Sequence, residues 1–190
     1  WPETMFTYEG SSRILFSCDA FGAHIATSER FTDEVGVEET LAFAKKYYAF
    51  LVAPFRKNVL SALDKTKELK IDVIAPSHGP VWRSDLDKII NTYDKWASRE
   101  FEDKATIVYG TMWGNTHKMA AAVAEGVAAG GMKTRVYNVQ STLPSEIVDE
   151  VFDSRLVLIG SSTFVGGIYP PVEAFIPFMR VIRDKSKKVA

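Results

Sequence analysis

Two stretches of this 190-residue chain gather small polar side chains where an anion could sit. The first, Tyr109-Gly110-Thr111-Met112-Trp113-Gly114-Asn115-Thr116, lies between a β-branched run and an alanine-rich helical stretch. Hydroxyl and amide side chains there meet unpaired backbone N–H groups and the positive end of a helix dipole, an arrangement that suits phosphate. An ordinary N-cap by Asn115 or Thr116 is the competing reading. A P-loop would carry Gly-Lys-Ser/Thr where this chain has Gly114-Asn115-Thr116. The three-glycine dinucleotide fingerprint is also missing, as is a ribose-binding carboxylate near Tyr137-Asn138, which disfavours ATP and NAD as resident ligands. The second stretch, Ser161-Ser162-Thr163-Phe164-Val165-Gly166-Gly167-Ile168-Tyr169-Pro170, is expected at the same sheet edge, where ligands of open α/β sheets bind. A flexible Gly-rich connection is its alternative. Together, hydroxyls without a lysine in one loop and glycines with an apolar pair in the other suggest a flat ring bound by backbone amides, the design of a flavin mononucleotide (FMN) site.

A second chemistry is suggested nearer the start. Ser17-Cys18-Asp19-Ala20-Phe21-Gly22 and Pro76-Ser77-His78-Gly79-Pro80 each follow a short strand-like run, so Asp19 and His78 both belong to strand-end loops, where metal ligands converge. Carboxylate plus imidazole suits zinc or non-haem iron. Turn capping or a satisfied polar role is the alternative for each, and holds more strongly for His24. His117, in the first turn of a helix, is expected to be simply exposed. Cys18 reads as a small core residue, because no cationic partner that would activate it can be named.

The elements that must position these groups fall into two textures. Met5–Tyr8 and Arg13–Phe16 flank Gly10-Ser11-Ser12 as a hairpin, and residues 17–36 read as a long loop. Val37, Leu41, Ala44, Tyr48 and Leu51 form a helical stripe. Pro54 is expected to start a second helix carrying Val59, Leu60 and Leu63. Ile71–Ala75 reads as a strand, and Leu86, Ile89, Ile90, Tyr93 and Trp96 mark a further helix. The short charged stretch from Ser98 to Lys104 reads as a boundary. Beyond it, strands at Thr106–Tyr109, Lys133–Val139 and Leu156–Ile159 alternate with helices at Thr116–Ala129, Ser145–Val151 and Val172–Ile182, which means a parallel sheet covered on both faces. Lys187–Ala190 reads as the stub of a fourth strand.

Composition narrows the function classes. With 46% hydrophobic and 25% charged residues the chain can form a core, which excludes disorder. A net charge of -1 supplies no field for phosphate backbones or anionic lipid, so neither nucleic acid nor membrane is expected as a partner. No apolar run reaches the roughly 18 residues of a membrane span, and no secretory signal opens the chain. The single cysteine fits a reducing, cytoplasmic interior. Trp1 rather than Met at the first position suggests a natural start upstream and a piece of a longer protein.

The second half resembles flavodoxin. More specifically, Trp1-Pro2-Glu3-Thr4-Met5, the Cys18-Asp19 and Ser77-His78-Gly79-Pro80 segments and the Met112-Trp113 phosphate loop, in that order, resemble the flavodiiron proteins, also called A-type flavoproteins. The resemblance implies an α/β chain: the C-terminal part of a metallo-β-lactamase-like αββα domain over residues 1–103, then an incomplete doubly wound, parallel-sheet flavodoxin-like domain over 104–190. It implies FMN and two iron ions. Asp19 would bridge both irons, His78 would bind one, and His24 would lie near the diiron pocket without ligating. Thr111, Met112, Trp113, Gly114, Asn115 and Thr116 would form the phosphate loop, with Ser162 and the Thr163, Phe164, Val165, Gly166 and Gly167 segment beside the isoalloxazine. It also implies electrons passing from a donor such as rubredoxin or reduced deazaflavin to dioxygen or nitric oxide, in a head-to-tail homodimer in which the flavin of one subunit faces the diiron centre of the other.

Some of the family pattern departs. Its His-x-Glu-x-Asp cluster and a His before Trp-Pro are missing, as is the second flavin loop beyond Val189, so this segment alone is expected to be inactive. Trp113 replaces the Thr of the usual flavodoxin phosphate loop, although Met-Trp is common among flavodiiron members. Two other classes compete: a flavodoxin-like electron carrier, and a dizinc hydrolase of the metallo-β-lactamase type in which zinc activates water. Iron, no metal and zinc would distinguish the three.

Overall fold

A computed structural model describes residues 4–182 and 188–189, so Trp1-Pro2-Glu3 and the outer residues of the terminal stub, Lys187 and Ala190, lie outside the described residues. The chain divides into two compact units, Trp1–Arg99 and Glu100–Ala190. No helix among the described residues is long and apolar enough to cross a membrane.

In the first unit, strands β1 (Thr7–Glu9) and β2 (Ile14–Cys18) form an antiparallel hairpin, and β3 (Val73–Pro76) lies parallel to β2, in the order β1-β2-β3. Glu9 fixes the turn by accepting hydrogen bonds from the Ser11 and Ser12 hydroxyls and amides, and these, led by the Ser11 hydroxyl, hold its carboxyl down to about 2. Strand pairing therefore begins at Thr7 instead of Met5, which is 71% exposed. Between β2 and β3 run helices α1 (Thr32–Val35), α2 (Val37–Tyr47) and α3 (Arg56–Thr66), and α4 (Leu86–Ser98) follows β3. Helix α1 falls inside the stretch read from sequence as a loop, because its four residues are too few to show a period. The expected stripe to Leu51 is interrupted by a π-helical turn at Tyr48–Val52, and Pro54 sits in a 3-10 turn (Ala53–Phe55), so α3 starts at Arg56. Proline cannot donate the backbone hydrogen bond that would continue α2. Leu15 and Ile74 bury the sheet face, and Tyr48, Tyr93 and Trp82 fill the core. Trp82 Nε1 donates to the Phe21 carbonyl at 2.9 Å, so this buried indole is satisfied.

The second unit is a parallel sheet in the order β5-β4-β6-β9, formed by β4 (Glu102–Gly110), β5 (Lys133–Asn138), β6 (Ser154–Ser161) and β9 (Lys188–Val189). Helices α5 (Asn115–Ala129), α6 (Pro144–Asp153) and α7 (Pro170–Ile182) alternate with the strands. Short strands β7 (Thr163–Phe164) and β8 (Gly167–Ile168) make a separate hairpin after β6. The run Lys104–Gly110 is buried throughout, as expected of a central parallel strand. Ile147, Val148 and Val151 of α6 and Val172 and Phe175 of α7 complete the apolar packing. One sequence expectation is corrected: the charged boundary stretch contains the start of β4, and Lys104 is a buried strand residue. Its Nζ lies 2.6 Å from Glu150 Oε1 and 2.5 Å from Asp153 Oδ1, both on α6, which explains how the charge is accommodated.

Candidate functional site

In the second unit, parallel pairing sets the geometry. Tyr109 of β4 stands opposite Asn138 of β5 and Gly160 of β6, so the loops leaving all three strands emerge at one carboxyl edge. Residues 111–114 link β4 to α5, with Gly114 as N-cap. The first turn of α5 is then Asn115, Thr116 and His117, whose amides point toward that edge, while the Lys118 amide donates to the Gly114 carbonyl at 3.1 Å. Within the loop the Gly114 amide donates to Thr111 Oγ1 at 3.0 Å. Thr116, only 9% exposed, has its Oγ1 2.9 Å from Ser162 Oγ, and the Met112 amide donates to the same Ser162 oxygen at 3.4 Å. Ser162 thus ties the loop after β6 to the loop after β4. Tyr169 closes the second loop, its amide donating to the Ser162 carbonyl at 3.1 Å and to Ser161 Oγ at 3.0 Å.

Residues 163–168, read from sequence as a Gly-rich loop, form the β7–β8 hairpin instead, with Thr163 opposite Ile168 and Phe164 opposite Gly167. Val165 and Gly166 make its turn at positive φ, and Val165 is 91% exposed. Trp113 is 86% exposed on the first loop. A polar cluster of hydroxyls and amides is therefore flanked by uncovered apolar side chains, the surface chemistry that a phosphate attached to a planar ring would need. The donor set of Thr111, Asn115, Thr116 and Ser162 fits FMN. His117 is exposed as expected but has a partner: its Nδ1 lies 2.6 Å from the hydroxyl of the buried Tyr109.

In the first unit, Cys18 opposite Pro76 brings the loops after β2 and β3 side by side. The Ser77 amide donates to the Cys18 carbonyl at 2.7 Å, and the Ala23 amide to the His78 carbonyl at 3.4 Å. Asp19 Oδ1 and His78 Nε2 are 3.4 Å apart. The Tyr47 hydroxyl, delivered by the last residue of α2, lies 3.2 Å from the same His78 nitrogen. Burial pushes the Tyr47 hydroxyl pKa up, and the Asp19 charge adds to the effect, so it remains a neutral phenol. His24 packs its ring 4.9 Å from His78 and 4.7 Å from Tyr47 between centroids, and Thr4 Oγ1 donates to Asp19 Oδ2 at 3.4 Å. His78 Nδ1 is buried without a hydrogen-bond partner among the described residues.

The two loops fit together because small residues stand where they cross. A Cβ at Gly22 would lie 2.8 Å from both His78 Cε1 and the His78 carbonyl, and one at Gly79 would lie 2.6 Å from the Ala23 carbonyl. No group of three or more His, Cys, Asp or Glu side chains suited to a metal is present among the described residues. Asp19 and His78 thus fit as two donors of a metal shell but do not complete one. Tyr47 was not singled out from sequence, because the apolar stripe runs through Tyr48. The adjacent tyrosines at the end of that stripe were the available signal.

The family model described as Flavodoxin matches residues 107–190. The nitric oxide reductase of Moorella thermoacetica is 40% identical over 189 residues, which cover 98% of this chain and 47% of that protein. Rubredoxin oxygen:oxidoreductase from Desulfovibrio gigas superposes with a TM-score of 0.95 at 29% identity, covering 100% of this chain and 48% of that one. The flavodiiron protein from Giardia intestinalis superposes with a TM-score of 0.91 at 33% identity, covering 96% and 45% respectively. The chain spans about half the length of the relatives it matches.

Proposed function

The chain belongs to the flavodiiron protein family, and from that premise we propose that it forms part of an oxidoreductase that reduces dioxygen to water or nitric oxide to nitrous oxide. The observation that carries this reading is the 3.4 Å pairing of Asp19 with His78 on a strand-end edge, in a chain whose other unit presents a hydroxyl- and amide-rich helix N-terminus. On this reading, residues 1–103 belong to a metallo-β-lactamase-like domain and 104–190 to a flavodoxin-like domain. When bound, FMN supplies electron transfer and the diiron centre supplies the open coordination positions for the gas.

The chain's own residues bind and orient. Asp19 offers two carboxylate oxygens and would bridge two cations, and His78 offers Nε2 to one of them. His24 packs against His78 and limits its rotation without ligating. The Tyr47 hydroxyl, 3.2 Å from the same nitrogen, would give up that contact when a cation takes the lone pair. Residues 111–116 would hold the flavin phosphate through hydroxyls, the Asn115 amide and backbone N–H groups, while Ser162 and residues 163–167 border the ring. Rubredoxin or a reduced deazaflavin is the proposed donor, a head-to-tail dimer the proposed assembly, and a reducing cytoplasm, in keeping with the lone Cys18, the proposed location.

The test is metal and flavin analysis of the intact protein, with consumption of each gas measured against its oligomeric state. Iron, FMN and turnover by a dimer are expected. Zinc with hydrolysis, or flavin without metal, would overturn the reading, and full turnover by a monomer would overturn the assembly. Thr116→Val is expected to weaken FMN binding by about 1–3 kcal/mol in the intact protein, the cost of leaving a charged acceptor and Ser162 each short of a partner. Titration of the apoprotein checks it, and unchanged affinity would remove Thr116 from the phosphate site.

A further inference from the structure

Gln140 lies outside both loops that the sequence singles out, on the turn leaving β5, yet it touches the two of them. Its Oε1 accepts from the Thr111 amide at 3.0 Å, at the point where the chain leaves β4. Its Nε2 donates to the Tyr169 hydroxyl at 3.2 Å, at the end of the loop after β6. The backbone behind it is fixed: the Gln140 amide donates to Asn138 Oδ1 at 3.0 Å, the Ser141 and Thr142 amides donate to the Asn138 carbonyl, and the Val139 amide donates to the Tyr109 carbonyl at 2.9 Å. A side chain delivered from an anchored turn loses less freedom when it bonds than one on a loose loop.

The orientation of the amide follows from its partners. A backbone N–H can only donate, so Oε1 must face Thr111, and Nε2 must then face Tyr169, whose hydroxyl accepts. The Thr111 amide therefore selects the orientation, and the Tyr169 hydroxyl, accepting from Nε2, holds the side chain in place. The other loop amides with side-chain acceptors use groups within or across the candidate site: Gly114 uses Thr111 Oγ1 and Met112 uses Ser162 Oγ. Thr111 is the loop amide held from the third strand-end, which sets where the loop starts while leaving the α5 N-terminus to the ligand.

We propose that Gln140 is a positioning residue for the phosphate end of the flavin, fixing the entry of the 111–116 loop through the Thr111 amide before the cofactor arrives. The inference rests on the FMN reading of this edge and adds a residue to it. Its chemistry predicts a selective effect: a mis-set phosphate loop weakens a ligand that carries phosphate more than one that lacks it.

The experiment compares wild type and Gln140→Ala in the intact apoprotein, titrated with FMN and with riboflavin, while hydrogen exchange follows the Thr111 amide. Gln140 is exposed, so the variant should fold. An FMN Kd raised about three- to tenfold, a riboflavin Kd changed less than about twofold, and faster Thr111 exchange are expected, on the scale of one hydrogen bond. Tyr169→Phe should reproduce the direction more weakly, because it removes only the group that steadies the far end of the amide. Equal losses for both flavins, or an unchanged FMN Kd, would overturn the proposal. Wild-type protein that binds no FMN would instead overturn the reading on which it rests.

Discussion

Asp19→Ala in the intact protein is expected to lose its iron and bring consumption of dioxygen or nitric oxide to background, with FMN retained. The carboxylate is the group on this edge with two oxygens available to two cations, and its Oδ1 lies 3.4 Å from the His78 nitrogen that would share one of them. Of the two donors this chain offers, removing it leaves His78 alone, and two cations would lose the group that bridges them. The fold should tolerate the change, since the carboxylate's contacts within the chain are long ones, 3.4 Å from both Thr4 Oγ1 and His78 Nε2, and the hydrogen bond from Thr4 is worth less than about 1 kcal/mol. Iron and flavin contents, measured on the same purified sample, decide the matter. Loss of FMN with iron retained would mean that the two units carry the opposite cofactors.

Lys104→Met is expected to produce the largest loss of stability, about 3–5 kcal/mol in denaturant unfolding of the intact protein, because it leaves two carboxylates facing each other without their cation. The Lys104 side chain is 7% exposed, and those of Asp153 and Glu150 are 12% and 21% exposed, so solvent replaces little of the lost interaction. Glu150 is also held by the Tyr137 hydroxyl at 3.1 Å, which keeps its charge near Asp153 after the lysine is gone. Burial alone would lower the lysine pKa, but the hydrogen bonds its ammonium donates to Asp153 and Glu150 outweigh it and hold the value above the ordinary 10.5. A raised folded-state pKa means that the stabilisation is complete below pH 10.5 and fades as pH climbs through the folded value. The deficit of the variant should accordingly shrink in strong alkali. Stability within about 1 kcal/mol of wild type at neutral pH would show that the cluster merely avoids a cost.

The parts of this molecule legible in its sequence are those where a local rule and the global fold agree. The strand–helix alternation after residue 104 needed only periodicity, and Thr111–Thr116 announced itself by falling between a strand and a helix. Asp19 and His78 were visible as polar residues after short apolar runs, but their 3.4 Å approach depends on β2 pairing parallel to β3 across the helices between them, which local pattern does not encode. Lys104 was misplaced because a charge beside Glu102 and Asp103 reads as solvated surface, and its partners lie more than forty positions away on α6. The π-helical turn after Tyr47 keeps the apolar composition of the helix it interrupts, so composition could not report it. Gln140 was invisible for a different reason. An exposed glutamine after a strand acquires a role only through the two loops that it happens to reach.

The crossing of the loops after β2 and β3 bears on how a map of tolerated substitutions should be read. With a Cβ at Gly22 blocked by His78 and one at Gly79 blocked by Ala23, neither position admits even alanine without displacing the backbone that carries a candidate ligand. Both would therefore score as severely as Asp19 or His78 in a saturation screen for activity, although neither carries a side-chain donor atom. Depletion at these glycines would record the clearance between two strands of backbone, and only metal content measured per variant would separate that clearance from coordination.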